Sequence, residues 1–245
     1  MSLILVMIVG GIIGILINYF SDVLPVSRRI SRPLCRVCNK PYSIKDYVIS
    51  CRCSICGNRI STRSIIVLIS AIVICIINKF FPFSNLGFWA TLPILIFLGV
   101  IMVIDIEHRI VLVKTSIFGF VLFFLYGIRL NDLLSTIFGA LAGFLIMFIF
   151  YYLGLVFIKI AGKLRNQEID EVAFGFGDVC LGTILGLLTG WPSIVGAFFI
   201  SIFTFVAFSL VLFIALLLTK RYHAFSNTQP FSTFLILGAI AIFYL

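Results

Sequence analysis

Charge is what this chain has least of. Only 11% of its 245 residues are Asp, Glu, Lys or Arg, against 62% hydrophobic residues and a mean hydropathy of +1.25. That leaves far too little polar material to clothe a soluble globule, so soluble folds are set aside in favour of an integral membrane protein. Alternating apolar runs are also missing, which argues against a transmembrane barrel. The apolar runs are instead continuous, and several reach the roughly 18 residues that cross about 30 Å of hydrocarbon as helix. No basic residue precedes the first run, Leu3 to Phe20, whereas Arg28, Arg29 and Arg32 follow it. A cleavable signal peptide carries its charge in front, so this run is expected to be a retained anchor with its N-terminus outside. The net charge of +9 does not point to nucleic acid. Half of the 18 basic residues lie between positions 28 and 63, beside that anchor, where they act as topology determinants.

The expected fold is an all-α polytopic membrane protein of about eight transmembrane helices with a small cytoplasmic zinc-knuckle domain. After the first helix, 1–20, and a polar excursion, 21–63, apolar segments follow at 64–81, 86–104, 110–127, 133–161, 179–190, 194–219 and 231–245. These seven make a membrane core over 64–245. The segment 179–190 is short for a full crossing. With the N-terminus outside, the cytoplasmic connections are 21–63, 105–109, 162–178 and 220–230, and they hold fourteen of the 18 basic residues. The protein is therefore expected in the cell's inner (plasma) membrane, in contact with the lipid bilayer on most of its surface.

The polar excursion holds Cys35, Cys38, Cys51, Cys53 and Cys56. Cys35-x-x-Cys38 and Cys53-x-x-Cys56 have the spacing of a four-cysteine zinc knuckle, in which each pair sits on a tight turn that aims two thiolates at one metal. Disulfides are disfavoured by the cytoplasmic placement. A domain of this size has little core, so a structural zinc ion would supply much of its folding free energy. Cys51 is an odd fifth cysteine, and Gly57-Asn58 after the second pair suits the turn.

Two acids stand at the cytoplasmic ends of apolar segments. Asp105 follows Leu86 to Ile104, and Asp178 follows Gly175-Phe176-Gly177 and opens the segment 179–190. Ionisable groups in such places are functional candidates that need a named partner. By segment parity both face the cytoplasm, so the two are expected to form an aspartyl dyad, one activating water and the other protonating the leaving group. Gly175 and Gly177 would shape the turn and allow close backbone approach beside the carboxylate. An N-cap is the plain alternative for Asp178. Glu107 and His108 read as interfacial anchors, and Glu168, Asp170 and Glu171 as a solvated loop. The dinucleotide fingerprint is not met, since no strand precedes Gly175 and no third glycine is correctly spaced.

These residues resemble the type IV prepilin peptidases, membrane aspartyl proteases of the GxGD type. The similarity rests on Phe174 to Trp191 around Gly175-Phe176-Gly177-Asp178, on Ile104 to Ile110 around Asp105, on Gly14-x-x-x-Asn18 with Leu24-Pro25, and on Pro230-Phe231 with Phe234-Leu235 and Gly238-Ala239. The resemblance implies cleavage of the short basic leader of prepilin or pseudopilin substrates at the cytoplasmic face, in a pilus or secretion system, by Asp105 and Asp178. It also implies N-methylation of the new terminus from S-adenosylmethionine. Ser64, Ile65 and Leu68 stand where the methylation signature has Tyr, Pro and Glu, so weak or absent methylation is expected, with S-adenosylmethionine a cofactor only if that activity is kept. Cys180, Leu112 and Thr233 are further departures, from Lys, Pro and Pro. The rival from another class is a membrane transporter whose intramembrane acids carry protons or cations, but the inverted repeats it calls for are not seen. A presenilin-type protease would lack the cysteine domain, and a non-catalytic assembly factor could retain the whole pattern. Oligomeric state has no signal in the sequence.

Overall fold

A computed structural model describes residues 2–27, 31–35, 37–38, 40–43, 46–47, 53–57, 61–82, 86–165, 175–219 and 230–244. Cys51, Asn58, Phe174, Glu168, Asp170 and Glu171 lie outside them. Eight helices make up almost all of the described residues: α1 Leu3–Ser27, α2 Thr62–Phe80, α3 Phe88–His108, α4 Val113–Leu130, α5 Leu133–Arg165, α6 Phe176–Thr189, α7 Ser193–Leu218 and α8 Phe231–Ile242. No strand occurs among the described residues, and the cysteine-bearing segment contributes only an isolated antiparallel bridge between Leu34 and Pro41. Six helices are long and apolar enough to cross a bilayer, all except α6 and α8. The protein is a multi-pass membrane protein.

The chain divides into two compact units, Met1–His108 and Arg109–Leu245. The division falls inside the stretch 64–245 that reads from sequence as one core, because α2 packs against α1, and α3 packs against α1 in turn. Small residues make those contacts possible. A Cβ on Gly10 would lie 2.8 Å from Ile72 Cα, and one on Gly14 would lie 2.9 Å from Leu68 Cα. Four residues apart, the two glycines put one face of α1 directly on the backbone of α2, which is how helices associate where lipid supplies no hydrophobic drive. Asn18 extends the same face, and its Nδ2 donates to the Ser64 carbonyl at 2.9 Å.

In the second unit α6 is the central element. Fourteen residues, about 21 Å of helix, are packed by α4, α5, α7 and α8, and all of Val179, Leu181, Gly182, Ile184, Leu185, Gly186, Leu187, Leu188 and Thr189 are buried. Gly139 and Gly143 of α5 face Gly186 and Gly182 of α6 so closely that no Cβ fits on any of the four. Gly190, with φ +71°, ends α6 in a backbone region that glycine alone enters freely. A helix covered by protein on every side need not span the hydrocarbon, and this explains why so short a segment is stable here.

Candidate active site and metal centre

In the first unit, α3 does not stop at the end of its apolar run but continues to His108, so Asp105 lies within its last turns, 5% exposed beside Ile101 and Ile104. Glu107 is two residues nearer the end. Its carboxylate receives Arg63 Nη2 at 2.9 Å, while Arg63 Nη1 reaches Asp22 Oδ1 at 2.6 Å and Nη2 also donates to Ser21 Oγ at 2.7 Å. Tyr47 closes the series by donating its hydroxyl to Asp22 Oδ2 at 2.7 Å. Burial, with Asp22 alongside, pushes the Tyr47 phenol well above its usual range, so it remains a donor. Asp22, Arg63, Glu107, His108 and Tyr47 line a cavity of about 760 Å³. Glu107 is thus a partly exposed member of an ion pair, and Asp22, Arg63 and Tyr47 were not singled out by the sequence pattern. One signal was available: Asp22 is among only nine acids and stands two residues past an apolar run.

The cysteines of the same unit converge. The sulfurs of Cys35, Cys38, Cys53 and Cys56 all lie within 4.8 Å of one another, with Cys35 and Cys56 at 3.5 Å and Cys38 and Cys53 at 3.7 Å. Four thiolates at about 2.3 Å from one tetrahedral ion would stand about 3.8 Å apart, close to the two shorter separations, so the four sulfurs could hold a metal ion. The turns are built for it. Cys35 is held by its N–H on the Lys40 carbonyl at 2.9 Å, the Gly57 N–H closes onto the Cys53 carbonyl at 2.9 Å, and Gly57 takes φ +68°. Backbone N–H groups of Cys38 and Val37 point at the Cys35 sulfur and lower its thiol from 9.0 to about 6. Those of Cys56 and Ile55 act in the same direction on Cys53. Donors aimed at sulfur favour the thiolate, which is the form a metal takes.

In the second unit, Asp178 occupies the third position of α6, with Gly175 as N-cap. It is not itself the N-cap. Its Oδ2 reaches back to accept the Gly175 N–H at 3.0 Å, satisfying one of the free donors at the helix start. Its Oδ1 accepts from Ser232 Oγ of α8 at 2.7 Å. A side chain at Gly177 would collide with Val111, with Cβ atoms 2.6 Å apart, so glycine is required there by space. Gly175 is different: among the described residues a Cβ would meet nothing closer than 3.8 Å. Cys180 is half-buried on the next turn, and Tyr151 of α5 packs edge-on against Phe176 at 6.1 Å. Asp105 and Asp178 thus belong to different units, each fixed at the end of a helix in its own surroundings.

Residues 92–210, which include both acids, match the model of the type IV leader peptidase family. No curated protein matches the chain. No solved structure matches it either.

Proposed function

Since the chain belongs to the type IV leader peptidase family, we propose that it is an aspartyl endopeptidase that removes the short basic leader of prepilin-like proteins, with Asp105 and Asp178 as its catalytic acids. The observation that carries this reading is Asp178 itself. It is a carboxylate at the mouth of a short, protein-covered helix, held by two neutral donors. Asp105, another acid of the matched region, supports it by its burial near the end of an apolar helix. In the reaction one carboxylate takes a proton from water as the oxygen attacks the scissile carbonyl. The other gives a proton to the departing amine nitrogen, and the peptide C–N bond breaks. Acids working in this way share a proton and titrate as a pair. The distribution of Lys and Arg supports catalysis at the cytoplasmic face of the inner membrane.

The four cysteines are proposed to hold structural zinc, since four thiolates on tight turns are the donor set that zinc prefers. N-methylation is proposed to be weak or absent. Leu68, at the position of the signature acid, packs its backbone against Gly14, and Glu107, the acid nearest in role, is committed to Arg63.

Co-expression with a prepilin-like substrate tests the reading. The wild type is expected to shorten the substrate by its leader, and Asp105→Asn and Asp178→Asn to leave it intact while still inserting. A membrane-inserted variant of either kind that cleaves at a substantial fraction of the wild-type rate overturns the assignment.

A further inference from the structure

Helical serines and threonines in this chain have a habit. Ser21, Ser27, Ser70, Thr183, Thr189, Ser201, Thr204 and Thr219 each turn the hydroxyl back to the carbonyl four residues earlier. That satisfies a buried hydroxyl at no cost in long-range geometry, and it is what such residues do in apolar helices. Ser232 stands in a first turn, where no helical carbonyl lies four residues back, and like Ser135, which donates to the Trp191 carbonyl, it gives its hydroxyl to a distant group. In the first turn of α8 it is 1% exposed, and its hydroxyl is given to Asp178 Oδ1, 54 residues away in sequence.

The helix that carries Ser232 is fixed. Phe205 of α7 meets both Phe231 and Phe234 edge-on at 5.3 Å, and Gly238 lies so close to Ala197 and Ser201 that no side chain fits between α7 and α8. The two oxygens of Asp178 are therefore each claimed by one donor from a different direction: the backbone of its own helix start, and a hydroxyl on a second, rigidly seated helix. A carboxylate held at one oxygen can still swing about its side-chain bonds. Held at both, it has one orientation.

We propose that Ser232 is a positioning residue for Asp178, setting the orientation of the carboxylate for proton transfer. This rests on the reading of Asp178 as a catalytic acid. Ser232 touches neither water nor peptide in the reaction; it acts through Asp178. A hydroxyl to a charged acceptor is among the stronger neutral-donor bonds, so its removal is expected to slow turnover by about tenfold or more.

The test compares wild type, Ser232→Ala, Ser232→Thr and Asp178→Asn, purified in detergent with confirmed folding, in steady-state cleavage of one prepilin-like substrate. Ser232→Ala is expected to lower kcat about tenfold with KM within twofold of wild type. Ser232→Thr, which keeps the hydroxyl, is expected to recover most of that loss. Unchanged kcat in Ser232→Ala beside an inert Asp178→Asn overturns the Ser232 assignment alone. Equal losses of kcat and thermal stability in the Ala and Thr variants overturn it too, by showing a packing role. Cleavage by folded Asp178→Asn removes the catalytic reading and this inference together.

Discussion

Asp22 and Glu107 of the first unit and Asp178 of the second are held in opposite ways. Asp22 and Glu107 share a single guanidinium, which also donates to Ser21, while Tyr47 donates to Asp22. In the second, Asp178 has a backbone N–H and a serine hydroxyl, and no Lys or Arg among that unit's described residues pairs with it. A charge neutralised by a partner is locked into one ionisation state and serves architecture. A charge held by neutral donors keeps the capacity to gain or lose a proton, which acid–base catalysis requires. The difference sets two acids committed to an ion pair apart from an acid proposed to react.

The sharpest way to break that contrast is to remove the charge from one acid of each kind. Asp178→Asn is expected to lower cleavage by at least about a hundredfold with little change in thermal stability, since general acid–base groups contribute on that scale. Asp22→Asn is expected to lower the unfolding temperature while leaving cleavage per folded molecule nearly intact. Measured side by side in detergent, a reversal of the two profiles would dissolve the distinction.

The metal centre gives the next largest effect. One zinc ion per chain is expected by elemental analysis, falling sharply in Cys38→Ser or after a strong chelator, because loss of one thiolate opens the site. Zinc content unchanged by Cys38→Ser would contradict the cluster seen here. Arg63→Met comes third. It leaves two only partly exposed carboxylates facing each other, at a cost of about 2 kcal/mol or more; calorimetry or thermal scanning should show the loss, and Arg63→Lys should restore part of it. The smallest effect is a mass. The mature substrate is expected to lack an added methyl group, and a product heavier by one methylene would show that the methyl transfer survives without an acid at position 68.

Local pattern carried the helices well. Segments read at 133–161 and 194–219 appear as Leu133–Arg165 and Ser193–Leu218, because unbroken apolar runs in a membrane have no competing structure. Where helices end was less legible. The first run reads to Phe20 but the helix continues to Ser27 through Pro25, and α3 runs past Asp105 to His108, because polar residues at a membrane edge continue a helix as readily as they leave it. The cysteine cluster was readable from spacing, since each pair acts through its own turn. The Asp22–Arg63 pair and the Ser232–Asp178 bond, separated by 41 and 54 residues, were not. Nothing in a single segment records which distant hydroxyl or guanidinium a carboxylate will meet.

Tyr47 belongs to the cysteine-bearing segment, Asp22 to the end of α1, Arg63 to the start of α2 and Glu107 to the end of α3. Four consecutive partners therefore join the cysteine-bearing segment to the mouths of three helices. Free energy in such a series is held in common: whatever orders one member lowers the cost of ordering the next, and the exchange runs equally in both directions. A metal bound among the four sulfurs would, by that linkage, be expected to bear through Tyr47 on the carboxylate of Glu107, two positions beyond Asp105.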